Sequence, residues 1–98
     1  MFEIGIDDQG VVVIAGRLDA AQTEKAQSFL DSIEGLAVMD CAGLEYISSA
    51  GLGVLLRTQK RLMSGGGKLR LIKVNPHIHN IFRYSGFDHI FEVEVSGG

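Results

Sequence analysis

Leu44-Glu45-Tyr46-Ile47-Ser48-Ser49-Ala50-Gly51-Leu52-Gly53-Val54-Leu55-Leu56 joins a strand-like run to an apolar helix through two adjacent hydroxyls. This places Ser49 at or near a helix N-cap, where its oxygen can accept a bond from one of the first backbone N–H groups, which have no partner inside the helix. The free N–H groups and the positive end of the helix dipole also favour added negative charge. A phosphate on Ser49 is therefore compatible with a folded helix, and a surface switch is chemically reasonable here.

Working outward, Leu52, Leu55, Leu56, Leu62 and Met63 give this helix a buried stripe, with Arg57, Lys60 and Arg61 displaced from it, and Gly65-Gly66-Gly67 ends it. Upstream, Leu36-Ala37-Val38-Met39 has no polar alternation, as expected of a short central parallel strand covered on both faces. Ala26, Phe29, Leu30 and Ile33 follow helical spacing, and Gln22 stands three residues after Asp19 as in a capping box. An amphipathic helix is expected from there to about Ile33, stopping near Gly35. Phe2, Ile4 and Ile6 alternate, Asp7-Asp8-Gln9-Gly10 supplies turn residues, and Val11 to Ala15 is apolar, which reads as a β-hairpin.

Downstream, Lys68 to Val74 reads as a strand with Leu69, Leu71 and Lys73 against Arg70 and Ile72. Asn75-Pro76 then opens a short helix through Ile78, Ile81 and Phe82 that closes at Gly86, and Ile90 to Val95 is the last strand. The order β-β-α-β-α-β-α-β with right-handed crossovers defines the α/β class: one domain over residues 1–98, with a mixed, mostly parallel sheet and an N-terminal hairpin.

Composition sets the bounds. Ninety-eight residues, 46% hydrophobic and 21% charged with a single Pro, suit one compact domain. No stretch approaches the ~20 apolar residues of a membrane span, so no membrane insertion is expected. Residues 1–15 lack a basic segment followed by an apolar one, and a cytoplasmic location is the expectation. A net charge of −3 with dispersed basic residues argues against a nucleic-acid surface. The lone Cys41 reads as a small buried residue.

Enzyme motifs fail at specific positions. Gly65-Gly66-Gly67-Lys68 lacks the Walker A residues, having Leu62 and Leu69 where Gly and Ser or Thr are required. A nucleophile elbow needs Gly where Ile47 stands. His77 and His79 point to different helix faces, Asp88-His89 defines no triad, and one Cys without HExxH spacing gives no metal site. Asp40 reads as a strand-end carboxylate bonding nearby N–H groups. No enzyme activity and no cofactor are expected.

Asp40-x-x-x-Leu44-x-x-Ile47-Ser48-Ser49-x-Gly51-Leu52-Gly53-Val54-Leu55 resembles the signature of the STAS domain family, the bacterial anti-sigma factor antagonists and their relatives. Gly16-Arg17-Leu18-Asp19 resembles the family's Gly-x-Leu-Asp, and Asn75-Pro76 through Ser85-Gly86-Phe87 with Ile90-Phe91 resembles its closing segment. The family's phosphoacceptor serine falls on Ser49. Members often carry Asp just before it, where this chain has Ser48, a departure that creates a runner-up phosphosite. Spacing to Gly51 and the cap assignment put Ser49 first.

The resemblance implies partner switching. The surface around Asp19, Ser48, Ser49, Gly51, Gly53, Val54 and Arg57 would dock an anti-sigma factor that is also a serine kinase with its own ATP site, freeing a sigma factor. Phosphorylation would release that partner, and a metal-dependent serine phosphatase would reset the switch. The alternative is a constitutive STAS subunit of a transporter or signalling assembly that works without phosphorylation.

Overall fold

In the computed structural model, which describes residues 1–96, one sheet runs in the order β1-β2-β3-β4-β5. The strands are β1 Phe2–Ile6, β2 Val12–Leu18, β3 Leu36–Ile47, β4 Lys68–Val74 and β5 Glu92–Val95. β1 is antiparallel to β2, and each later pair is parallel. Helices α1 (Thr23–Leu30), α2 (Ser49–Ser64) and α3 (Pro76–Ser85) make the crossovers, with 3₁₀ turns at Ala20–Gln22 and Phe87–His89. The α/β class and element order match the sequence expectation. The hairpin's second strand reaches Leu18 instead of stopping at Ala15, and the last strand starts at Glu92 because the Phe87–His89 turn carries the chain through Ile90.

Parallel strands added always in the same direction by right-handed crossovers bring their helices to one face. The buried side chains line up on that face: Val12 is opposite Met39, Leu18 opposite Ile47, and Ala37 opposite Leu69. The expectation that Leu36–Met39 is covered on both faces is therefore corrected. Leu36 is 75% exposed, and Val13 and Arg70 stand on the uncovered side.

β3 is also three times longer than expected, at 12 residues instead of the four of Leu36–Met39. Two register shifts against β2 explain why its second half does not look like a strand. Val13 pairs with Asp40 but Ala15 with Gly43, and Gly16 pairs with Leu44 but Arg17 with Tyr46, so β3 carries an extra residue at each shift. The buried positions consequently run Met39, Cys41, Leu44, Ile47, and period two is lost. Asp40 lies within the strand, at the last residue paired with β4. Its carboxylate accepts from Ala42 N at 2.9 Å and pairs with Lys73 Nζ at 3.4 Å. Lys73, at φ 55°, is exposed, and Val74 takes the buried position in its place.

The first helix is shorter than expected. Asp19 and Gln22 form no capping box, since neither side chain caps, and α1 ends at Leu30. Its C-terminus is held from α2: Arg61 Nη2 donates to the carbonyls of Leu30 at 2.8 Å and Ile33 at 2.6 Å. Arg61 is thus half-buried while Met63, expected in the stripe, is 57% exposed. In α3, Asn75 accepts from Ile78 N at 2.9 Å and Gly86 closes the helix at φ 79°, a left-handed conformation that favours glycine.

Gln59 is a buried connector of α2. Its Nε2 donates to Ile90 O at 3.0 Å and its Oε1 accepts from Leu69 N at 2.6 Å, tying the helix to β4 and to the turn before β5. Gln59→Leu leaves both backbone groups without these partners and should cost about 1–3 kcal/mol in urea unfolding. A change within error would mean that the two bonds contribute nothing net.

Burial pushes the Cys41 thiol up from 9.0 to about 12, with the Asp40 carboxylate adding to the shift. The raised value means that the unfolded chain ionises first. Stability from this group is complete below pH 9, and it is lost as pH rises towards 12. Cys41→Ala should flatten that part of the stability profile measured in urea against pH.

Candidate functional site

The end of β3 and the start of α2 meet the end of β2. Ser48 N donates to Leu18 O at 3.0 Å, and the Ser48 hydroxyl lies 3.4 Å from the same oxygen. The hydroxyl also accepts from Gly51 N at 3.1 Å, and Ser48 has the extended backbone of a cap residue, φ −88° and ψ 172°. The N-cap is therefore Ser48, which corrects the assignment of Ser49. Either serine satisfies the local cap preference, and docking of the Ser48 N–H on Leu18 selects the first. Ser49 becomes the first residue of α2, with an exposed side chain.

Gly51 and Val54, expected on the docking surface, face inward. Val54 is fully buried, and a Cβ on Gly51 would stand 2.6 Å from Leu18 O and 2.8 Å from Ile47 Cγ1. Gly51 is thus a packing glycine that lets α2 close onto β2. Gly53 differs. A Cβ there would meet only the Arg57 guanidinium, 3.3 Å away at Nη1, the far end of a flexible side chain.

The outward face of α2 carries Ser49, Gly53 and Arg57, at successive steps of four residues, and Ser48 is half-buried beside them. Asp19 directly follows Leu18 and lies half-buried at the same edge, its Oδ1 buried without a hydrogen-bond partner among the described residues. Arg57 Nε donates to Gln27 Oε1 on α1 at 3.1 Å, and Gln27 Nε2 in turn reaches Asp31 at 3.0 Å and Thr58 at 3.4 Å. Sequence reasoning missed Gln27, since a polar residue on an amphipathic helix carries no signal of the helix it will meet. Arg17 is stacked on Tyr46, 4.4 Å from the ring centroid, on the uncovered sheet face. Among the described residues no group of three or more His, Cys, Asp or Glu is arranged to hold a metal ion, and no helix is long and apolar enough to cross a membrane.

A sheet of this order with a serine-capped helix springing from its third strand defines the class of protein. A family profile described as "Mlab, STAS domain" matches residues 4–93, and the chain belongs to the STAS domain family. BtrV of Bordetella bronchiseptica, named as a candidate anti-sigma factor antagonist, is 37% identical over 95 residues, covering 93% of this chain and 82% of BtrV. Among solved structures, the anti-sigma factor antagonist SpoIIAA in its unphosphorylated form has a TM-score of 0.69 at 17% identity, covering 100% of this chain and 90% of that one. The phosphorylated form, described as a Bacillus cell fate determinant, gives 0.66 at 19% identity, covering 98% and 93%. A sulfate transporter family protein from Wolinella succinogenes gives 0.72 at 20% identity, covering 84% and 72%. At these identities the solved structures establish a shared fold.

The two serines should separate in stability measurements. Ser48→Ala removes the cap to Gly51 and should cost about 1 kcal/mol in urea unfolding. Ser49→Ala should fall within about 0.5 kcal/mol of wild type, as an exposed substitution that breaks no cap. The reverse order would return the cap to Ser49.

Proposed function

We propose that this chain is an anti-sigma factor antagonist whose docking is switched by phosphorylation of Ser49. The observation that carries this reading is the exposed side chain of Ser49 at the first position of α2, beside a Ser48 hydroxyl already engaged by Gly51 N and Leu18 O. The kinship with BtrV supports the partner class. Unphosphorylated, the surface of Asp19, Ser48, Ser49, Gly53 and Arg57 docks an anti-sigma factor that is also a serine kinase and brings its own ATP site. A metal-dependent serine phosphatase reverses the modification, and the exchange takes place in the cytoplasm.

The chemistry is local. Phosphate adds about −1.5 to −2 charges at pH 7, and desolvating that charge in an interface built for a neutral hydroxyl opposes docking. A 10³-fold loss of affinity requires only about 4 kcal/mol. At the first turn of a helix the same charge is favourable to the fold by roughly 0.3–1 kcal/mol, so the switch acts on the interface and leaves the domain folded. A phosphate on Ser48 would instead displace the cap.

The likeness of the fold to a sulfate transporter family protein favours a second reading, a constitutive subunit of a transporter or signalling assembly. One experiment separates the two. Incubation with the partner kinase and ATP, followed by mass spectrometry, should place phosphate on Ser49 and leave Ser49→Ala unmodified. Titrated against that kinase, Ser49→Ala should bind as wild type, while Ser49→Asp and the phosphorylated protein bind more weakly. Gly53→Leu should fold yet lose affinity. Phosphate on Ser48, or equal affinities for the Ala, Asp and phosphorylated forms with all folded by circular dichroism, would move the assignment to the constitutive subunit.

A further inference from the structure

We propose that Arg57 is the intramolecular counter-charge for a phosphate on Ser49, reached along a lane that Gly53 leaves open on α2. This rests on the phosphorylation of Ser49 proposed above. Positions 49, 53 and 57 are successive i, i+4 neighbours, stacked along one helix face. Long side chains on a helix lean towards its N-terminus, and here the guanidinium lies over Gly53, with Nη1 3.3 Å from where a Cβ would be. A larger residue at 53 would occupy that space.

The guanidinium is both held and unspent. Its Nε is fixed by Gln27 Oε1 at 3.1 Å. Arg61, Lys68, Arg70 and Lys73 each pair with a carboxylate, whereas Arg57 has no ion pair among the described residues. From the level of Gly53 to that of Ser49 is four residues, a rise of ~6 Å, within the combined reach of an arginine and a phosphoserine. The three phosphate oxygens suit the planar guanidinium fork.

The other charged groups tied to this corner offer the phosphate no competing cation: Asp31 is an acid that accepts from Gln27 Nε2 at 3.0 Å. Asp19, after Leu18, is an acid, and Arg17 is engaged with Tyr46 on the uncovered sheet face. Pairing in cis has a consequence for docking: phosphorylation adds negative charge at Ser49 and at the same time withdraws a guanidinium from the partner.

The test uses the full chain with phosphoserine incorporated at position 49 during translation, so that no kinase is needed, titrated by phosphorus NMR. A neighbouring cation favours the dianion, so the second phosphate pKa of wild type should lie about half a unit below that of Arg57→Gln. Arg57→Lys should fall between the two, since it keeps the charge and loses the fork. Gly53→Leu retains the arginine but fills the lane, and should titrate like Arg57→Gln. Equal titrations of wild type and Arg57→Gln, or a lower value in the variant, overturn the proposal and leave phosphorylation of Ser49 standing. A Gly53→Leu curve that matches wild type overturns the lane. If instead the kinase does not modify Ser49, the biological switch fails while the measured pair remains.

Discussion

The Leu18 carbonyl, at the last residue of β2, receives the Ser48 N–H at 3.0 Å and leaves no room for a side chain at position 51. These two facts pin the first turn of α2 against the end of β2. Once the helix is fixed there, its 3.6-residue repeat turns Val54, Leu55, Thr58, Gln59 and Leu62 inward and Ser49, Gly53 and Arg57 outward. Gln59 then ties the same helix to β4, and Arg61 caps the end of α1. The outward face of α2 is a consequence of packing at one carbonyl.

Much of the fold was legible because its signals are local. Alternation in Phe2–Ile6, Asn75 before Pro76, and Gly86 after Ser85 each specify a conformation with no partner required. β3 was harder. Its two extra residues break the period-two pattern, and a bulge belongs to a pair of strands, which no single segment reveals. The end of α1 depends on Arg61 from 28 or more residues downstream. The uncovered sheet face follows from strand order, which local patterns do not contain.

The candidate site was legible as a segment, and within it the helix cap was misread by one residue. Two adjacent serines offer the same cap chemistry, and the choice between them is made by a carbonyl on β2. The inward direction of Gly51 and Val54 was available in the sequence, since two and five residues from Ser49 are steps of about 200° and 500° around a helix, away from its face. Gly53, at four residues, stays on that face. Gly51 and Gly53 look alike as letters and have opposite environments.

The one-residue correction strengthens the chemical logic of the site. Had Ser49 been the cap, a phosphate there would have had to displace the bond that starts the helix, and modification would have been coupled to helix stability. With Ser48 as cap, the two tasks fall to different hydroxyls: one holds Gly51 N at 3.1 Å and the other stands in solvent. In the proposed phosphorylated state, a charge at position 49 would stand at the positive end of the helix dipole, one turn from the open lane at Gly53 and the Arg57 guanidinium whose Nε donates to Gln27. Within the chain these interactions favour the added charge; against a partner shaped for a hydroxyl, desolvation opposes it. Under the proposed phosphorylation of Ser49, that difference in sign would let a single oxygen govern association without altering the domain that presents it.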